Sequence, residues 1–199
     1  MINFWELPEN RNRVLFKEKF KFRLVNLLKK KKNTYRLRYK ILKTRINIKY
    51  IKFLSKELQI SLKTFQDNIS WIGASNSRGL SDPKLPFNLN TRPGSRFIAA
   101  IINDGCLTKE REDSYGRLMY DNFDCDLRDS VMKDYLSIFG GRSHEVSFRN
   151  YERKKFFEFP SVIRDLIFLI IKNKGSKSES NLKIPSLIFN NNEKTRRKS

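Results

Sequence analysis

One apolar helix carries the residues with the clearest capacity for chemistry. The pattern predicts that this helix begins at Ser95, a good N-cap, and ends at Gly105, a residue type that stops helices. Asp104 lies in the last turn, where the negative end of the helix dipole opposes a carboxylate by about 0.3–1 kcal/mol. The small residues Ala99 and Ala100 allow a second backbone to approach closely. Such a helix is suited to presenting two acids, one from each of two packed helices, to a divalent cation.

This helix resembles the nine-residue signature of the LAGLIDADG homing endonucleases over residues 97–105. Asp104 and Gly105 match the final Asp-Gly of the signature, Ile101 matches its isoleucine, and Ala99 its packing glycine. Ile102 and Asn103 depart from it, and the earlier Asp of the signature, where this chain has Ile102, is not its metal ligand.

The residues that follow predict the elements that would position this helix. Strands are expected from Gly105 to about Glu112, from Arg117 to Cys125, from Glu145 to Tyr151 and from Arg153 to Phe159. Asp126 is expected to cap a helix that stops before Gly140, and a closing helix is expected from Pro160 to about Lys172. The order helix-strand-strand-helix-strand-strand-helix is that of the family, so residues 95–172 are expected to form an αββαββα domain with an antiparallel sheet.

The resemblance implies site-specific, metal-dependent hydrolysis of duplex DNA that leaves a staggered double-strand break. Mg²⁺ or another divalent cation would neutralise the pentavalent oxyanion and activate a water molecule. Asp104 would hold the cation, and the carbonyl of Asn103 or Gly105 would add an oxygen ligand. Lys154 or Lys155 would assist near the scissile phosphate.

In that family the sheet lies in the DNA major groove, and its outward side chains read base edges. The corresponding candidates in this chain are Lys109, Arg111, Arg117, Tyr120, Arg149 and Arg153.

One Asp-bearing helix supplies half of a metal site, so the resemblance implies either a homodimer or a second signature repeat. Two other interpretations stay open. One is a catalytically inactive DNA-binding regulator or RNA-splicing maturase on the same scaffold, and the other is an unrelated α+β domain with a chance Asp-Gly helix end.

Positive charge is concentrated towards the front of the chain. The 199 residues include 42 Lys and Arg and 21 Asp and Glu, a net charge of +21. Residues 11–53 contain 17 of the basic residues and a single acid, Glu18, whereas residues 96–172 are neutral overall. Aromatic residues are interspersed in this basic segment, which favours a phosphate-binding surface over a solvated face. We therefore expect residues 1–80 to be a basic, helical DNA-binding region, with a membrane surface as the competing partner.

Two parts of this region have recognisable periodicity. Residues 14–28 have the spacing of a helix, whereas residues 35–42 fit a strand or a second basic helix equally well. Residues 49–70 predict two short helices joined by three or four residues, a pattern typical of a helix-turn-helix. In that interpretation Lys63, Thr64 and Gln66 face the major groove. An ordinary helical hairpin has the same pattern, and Gln59 stands where the turn usually has glycine.

The remaining composition excludes several classes of protein. Two cysteines and one histidine cannot form a zinc site or a disulfide framework. The longest strongly apolar run, residues 166–171, is far shorter than the roughly 20 residues that span a bilayer. The N-terminus lacks the pattern of a secretory signal, so we expect a cytoplasmic protein with no membrane partner and no small-molecule substrate.

Two segments are expected to connect modules. Residues 81–94 are rich in turn-forming residues and predict a linker, although Leu85–Leu89 also has the pattern of a segment that packs before the next helix. Residues 173–199 predict a basic linker, in which residues 184–190 parallel Leu85–Leu89. This parallel favours the first half of a two-motif, archaeal-type enzyme that is cut off before its second motif. A disordered basic tail has the same composition.

Overall fold

The computed structural model describes residues 1–31, 34–74, 78–107, 117–151 and 154–171, with the backbone alone for 148–151 and 154–155. These residues form seven α-helices and two four-stranded antiparallel sheets, which confirms the expected α+β class. The tail at 173–199 lies outside the described residues. None of the helices in the described ranges has the length and apolar character needed to cross a membrane.

The first sheet is built from the basic front of the chain. Its strands have the order β2-β1-β3-β4, where β1 is Asn12–Phe16, β2 Ile46–Asn47, β3 Ile69–Ala74 and β4 Leu80–Ser81. Four helices accompany it: α1 Glu18–Lys29, α2 Tyr35–Lys43, α3 Ile48–Leu58 and α4 Leu62–Asp67. The description of residues 1–80 as helical was therefore incomplete, since this region also forms a sheet.

The expected helix over residues 14–28 is in fact a strand followed by a helix. Val14 and Phe16 are buried, whereas Leu15 between them is half-buried, and β1 pairs with both β2 and β3. The partner strands lie far from β1 in sequence, so the local spacing does not reveal them. Pairing with these strands outweighs the helical spacing at the start of the segment. For residues 35–42, where strand and helix were both open, the structure has helix α2.

The second half of the chain has the predicted order of elements. It comprises α5 Arg92–Asp104, β5 Gly105–Leu107, β6 Leu118–Asp121, α6 Cys125–Phe139, β7 Ser147–Tyr151, β8 Lys154–Phe159 and α7 Ser161–Ile171. The strands form an antiparallel sheet in the order β5-β6-β8-β7. The order helix-strand-strand-helix-strand-strand-helix is confirmed for this part of the chain.

Two predicted helix caps were placed wrongly. Helix α5 begins earlier than Ser95, because Thr91 accepts the backbone N–H of Gly94 at 3.1 Å and a proline occupies the first turn. Helix α6 is capped by Asp124 rather than Asp126, since Asp124 accepts the N–H groups of Asp126 and Leu127 at 2.8 and 3.2 Å. In both cases a polar residue a few positions upstream offers the better side-chain acceptor.

The segment expected as a linker is packed against both halves of the protein. Phe87 is fully buried and Leu89 nearly so. The backbone groups of Phe87 and Ile2 exchange two hydrogen bonds of 2.9 Å, and the N–H of Lys84 donates to the carbonyl of Phe139 at 2.9 Å. Residues 81–94 therefore fix the start of α5 relative to both sheets, as the packing pattern of Leu85–Leu89 indicated.

An aromatic cluster holds α5 against the second sheet. Phe97 of α5 contacts Phe139 and Tyr135 of α6 and Phe159 of β8, with ring centroids 5.3–6.3 Å apart. Aromatic pairs at these separations contribute about 0.5–1.5 kcal/mol each beyond the burial of their area. The helix that ends at Asp104 is thus anchored through its buried face.

Candidate functional site

Asp104 lies at the junction between α5 and β5. Gly105 follows it with an extended backbone, and its N–H donates to the carbonyl of Ile101, so the helix passes directly into the strand. A Cβ atom at Gly105 would lie 2.5 Å from the Ile101 carbonyl oxygen, which explains why glycine is needed there. The close approach of two backbone segments therefore fixes the carboxylate of Asp104 at one end of the second sheet.

The carboxylate of Asp104 is exposed and has a defined neighbour. Asn122 donates from Nδ2 to Oδ2 of Asp104 at 3.0 Å. Asn122 is itself held in place, because its side chain accepts the N–H of Asp124 at 2.9 Å and its carbonyl accepts Nη1 of Arg128 at 3.3 Å. The amide donor partly offsets the unfavourable position of a carboxylate at the negative end of a helix.

The pKa of Tyr120 responds to the negative charge of Asp104. Burial raises the pKa of Tyr120, and the negative charge of Asp104 raises it further. A hydrogen bond with Asn122 acts in the opposite direction. Tyr120 is almost fully buried, so its assignment as a residue that reads DNA bases was wrong. Its side chain lies in the core instead of on an exposed face of the sheet.

The atoms around Asp104 fit part of a site for a hard divalent cation. Within the described residues its second carboxylate oxygen accepts no hydrogen bond, and Mg²⁺ prefers carboxylate and carbonyl oxygens. The carbonyls of Asn103 and Gly105 adjoin it in the chain. Across the described ranges no group of three or more His, Cys, Asp or Glu side chains could hold a metal ion. The second carboxylate oxygen of Asp104 is therefore available to serve as one ligand of such a cation.

The two small residues of α5 lie at the border of its buried face, and Ala100 packs against the core. Ala99 and Ala100, the two residues expected to permit close helix packing, are both half-buried, whereas Phe97, Ile98 and Ile101 are covered by the protein itself. Small side chains at partly exposed positions allow a second backbone to approach.

The two candidate lysines lie at the same end of the sheet as Asp104. Gly105 is paired with Tyr120, and Tyr120 with Phe157, so the backbone of Lys155 lies just beyond this row of paired residues. Strands β5 and β8 are separated by β6, a backbone distance of about 10 Å at about 4.8 Å per strand. The structure describes Lys154 and Lys155 by backbone alone, and their register is compatible with a role near Asp104.

The other candidates on the sheet have different outcomes. Arg117 is exposed, and its Nε lies 3.4 Å from Oε1 of Glu158 on β8. Arg149 lies in β7, where only its backbone is described, opposite Phe156. Lys109, Arg111 and Arg153 lie outside the described residues.

Helices α3 and α4 adjoin each other at the expected turn. Ser61 caps α4 by accepting the N–H of Thr64 at 3.1 Å. Gln59 takes the left-handed conformation, with φ of 54°, that glycine usually supplies. Lys63 is exposed and pairs with Asp67 at 2.9 Å.

Two of the three residues assigned to a DNA-facing surface of α4 are engaged elsewhere. Gln66 is buried, and its Oε1 accepts the N–H of Phe4 at 3.2 Å, so its assignment to a DNA-facing surface was wrong. Thr64 is half-buried and its hydroxyl lies 2.8 Å from that of Ser61. Lys63 is therefore the one residue of this set whose side chain is exposed, and it is paired with Asp67.

Sequence reasoning missed two residue pairs that shape this region. Asn122 orients Asp104, and the pattern gave no sign of it because the residue lies in a loop. Arg96 on α5 binds Asp134 on α6 through two hydrogen bonds, one of them 2.9 Å from Nε to Oδ2. The opposite charges on the two predicted helices were the available signal for that pair.

Comparisons of the chain with protein-family models, with curated proteins and with solved structures found no match.

Proposed function

We propose that this chain is a homing-endonuclease module of the LAGLIDADG type, which hydrolyses phosphodiester bonds in duplex DNA with the help of a divalent cation and leaves a staggered break. The observation that carries this proposal is the exposed carboxylate of Asp104 at the end of α5, fixed there by the direct passage of Gly105 into β5. The order of the seven elements and the antiparallel sheet β5-β6-β8-β7 support it.

In this proposal each residue has a limited role. A bound Mg²⁺ would supply charge neutralisation of the oxyanion and an activated water molecule. Asp104 supplies a carboxylate ligand, Asn122 orients that carboxylate, and the carbonyl of Asn103 or Gly105 adds an oxygen ligand. Lys154 or Lys155, at the same end of the sheet, places positive charge near the scissile phosphate.

A second Asp-bearing helix completes the site in this proposal, either from a second copy of the chain or from a second repeat. We place its docking position along the half-buried side of α5 that carries Ala99 and Ala100. Each helix then brings one acid to its end, so two phosphodiester bonds are cut on opposite strands. The basic front of the chain adds affinity that weakens with salt, separately from cleavage.

The proposal is tested by cleavage of a plasmid library of candidate sites in the presence of Mg²⁺. Asp104→Asn is expected to abolish cleavage and to keep duplex binding within a few-fold of the wild type, because the amide keeps the shape of the side chain and loses its charge. Asp129→Asn is the matched control, since Asp129 is an exposed carboxylate on α6. Equal loss of cleavage in both variants contradicts the role of Asp104. Binding of a site by the wild type without cleavage, in Mg²⁺ and in Mn²⁺, would instead favour the inactive regulator or maturase.

A further inference from the structure

A groove in the basic front of the chain lies apart from Asp104 and its sheet. It runs between α2, the residues that connect α2 to α3, and the start of α3, and it encloses about 430 Å³. This volume is within the range of ligand-binding clefts, about 300–1,000 Å³. Tyrosines and basic residues dominate its wall, and no Asp or Glu belongs to it.

Three tyrosines of this groove are exposed to solvent. Tyr35 is 73% exposed, Tyr39 55% and Tyr50 45%. Tyr35 and Tyr39 are four residues apart on α2 and therefore lie on one face of the helix. Exposed rings of this size contribute little to the core, yet they line one cleft together with Tyr50. Their shared position favours a ligand with flat apolar faces.

The basic residues of the groove have few internal partners. The side chains of Arg13 and Arg36 make no hydrogen bond or ion pair within the described residues. Lys40 lies over the ring of Tyr50 at 5.0 Å, and Arg45 stacks on the ring of Trp71 at 3.7 Å. A guanidinium that is stacked on one side offers its other side to a ligand.

Three lysines elsewhere on the front are paired with acids. Lys21 pairs with Glu18, Lys31 with Glu57, and Lys52 with Glu9. No Asp or Glu of the described residues lines the groove, so its positive charges face a ligand without a competing carboxylate. Such a surface is complementary to a ligand that carries several negative charges.

We propose that this groove binds single-stranded nucleic acid, with unpaired bases against Tyr35, Tyr39 and Tyr50 and phosphates against the surrounding Arg and Lys side chains. Unpaired bases have free π-faces that stack on aromatic side chains, and proteins that bind single strands combine such rings with a basic groove. The bases inside a duplex are covered by their neighbours and cannot stack on these rings. An acidic peptide would use the positive charges but would gain little from three tyrosines.

The test measures binding by fluorescence anisotropy with the full chain in EDTA, so the result does not depend on metal or on cleavage. The probes are labelled (dT)₁₂, labelled U₁₂, a 12-base-pair duplex and a polyglutamate of matched charge. Either single strand is expected to bind more tightly than the duplex and the polyglutamate. Tightest binding of the duplex or of the polyglutamate overturns the proposal.

Substitutions then separate stacking from charge. Replacing Tyr35 and Tyr39 by alanine is expected to weaken single-strand binding by roughly 5- to 100-fold per lost stacked base. The corresponding phenylalanine variants keep the rings and are expected to bind within about threefold of the wild type. Phe22→Ala, which removes a 59% exposed ring outside the groove, is the matched control. Equal losses for the alanine and phenylalanine variants, or no loss for either, refute stacking on these rings.

The charge contribution has its own readout. Arg36→Gln is expected to make the slope of log affinity against log salt shallower by about 0.7 for one lost phosphate contact on a single strand. Lys49→Gln is the control, because Lys49 is exposed at the start of α3 and does not line the groove. An equal change of slope in both variants would mean that charge acts diffusely and that the groove is not the site.

Discussion

Loss of Arg96 is expected to destabilise the helix that carries Asp104. Arg96 donates two hydrogen bonds to Asp134, whose side chain is 4% exposed, whereas that of Arg96 is 52% exposed. Arg96→Gln leaves the buried carboxylate of Asp134 without its charged partner. Breaking a fully buried pair costs about 3–5 kcal/mol, but water reaches the exposed arginine side, which reduces the expected loss to about 1–2 kcal/mol.

The assay is thermal and urea unfolding of the full chain. For a chain of this size a loss of about 1–2 kcal/mol lowers Tm by roughly 2–8 °C. Lys63→Gln is the control, because its ion pair with Asp67 spans one turn of α4 between side chains that are 74% and 51% exposed. The free energy of unfolding of that variant is expected to stay within about 0.5 kcal/mol of the wild type.

A double-mutant cycle then isolates the pair. Arg96→Met combined with Asp134→Leu removes both charges and is expected to recover much of the stability lost in Arg96→Met alone. If Arg96→Gln changes the free energy of unfolding no more than Lys63→Gln does, the pair contributes as an ordinary surface contact and the reasoning is wrong.

Four further outcomes are expected. The Asp104→Asn variant should melt no lower than the wild type, because the substitution relieves the conflict with the helix dipole. It should also lower the pKa of Tyr120 in a spectroscopic titration. A drop in Tm of several degrees would indicate a structural role for Asp104. Gly105→Ala should cost about 1–3 kcal/mol in urea unfolding, since its Cβ meets backbone at 2.5 Å. Neutralising Lys29–Lys32 should weaken duplex binding uniformly across sequences. The slope of log affinity against log salt concentration should become shallower by about 0.9 per lost phosphate contact. A loss of affinity that depends on the DNA sequence contradicts a phosphate-binding role. Ala99→Leu should abolish cleavage and self-association in sedimentation if a second helix docks there, without changing unfolding by more than about 1 kcal/mol.

Stability should also depend on pH at the alkaline end. Burial raises the pKa of Tyr120 and of Tyr135 in the folded protein. The unfolded chain therefore loses these protons first, near pH 10, and binds fewer protons than the folded chain above that pH. The sign of the linkage relation then requires stability to fall as pH rises above about 10.

The order of elements after residue 92 could be predicted because it depends on local signals. The period of the apolar residues changes between helix and strand along this segment, and Gly140 and Gly141, both with φ near 70°, mark the end of α6. The place of Asp104 at a helix end followed from the same signals. None of these inferences required knowledge of a residue far away in sequence.

The errors concern residues whose surroundings are set by distant parts of the chain. Tyr120 suits either face of a strand, and alternation alone does not say which face another layer covers. Gln66 is polar and was therefore expected on the surface. Its side chain is instead buried, because its Oε1 accepts the backbone N–H of Phe4, which needs an acceptor inside the protein. Val14 and Leu15 continue the helical spacing of the residues after them, but pairing with β3 makes them part of a strand.

Charge shows a further limit of the same kind. The excess of basic residues over residues 11–53 predicts a polyanion as partner, but it does not say which cations are available to bind one. In the fold, Lys21, Lys31 and Lys52 are each paired with an acid, whereas the side chains of Arg13 and Arg36 lie beside exposed tyrosines with no acid partner among the described residues. A net charge therefore overstates the number of phosphate contacts. It follows that the salt dependence of binding should be governed by the smaller set of cations that the fold leaves without a carboxylate.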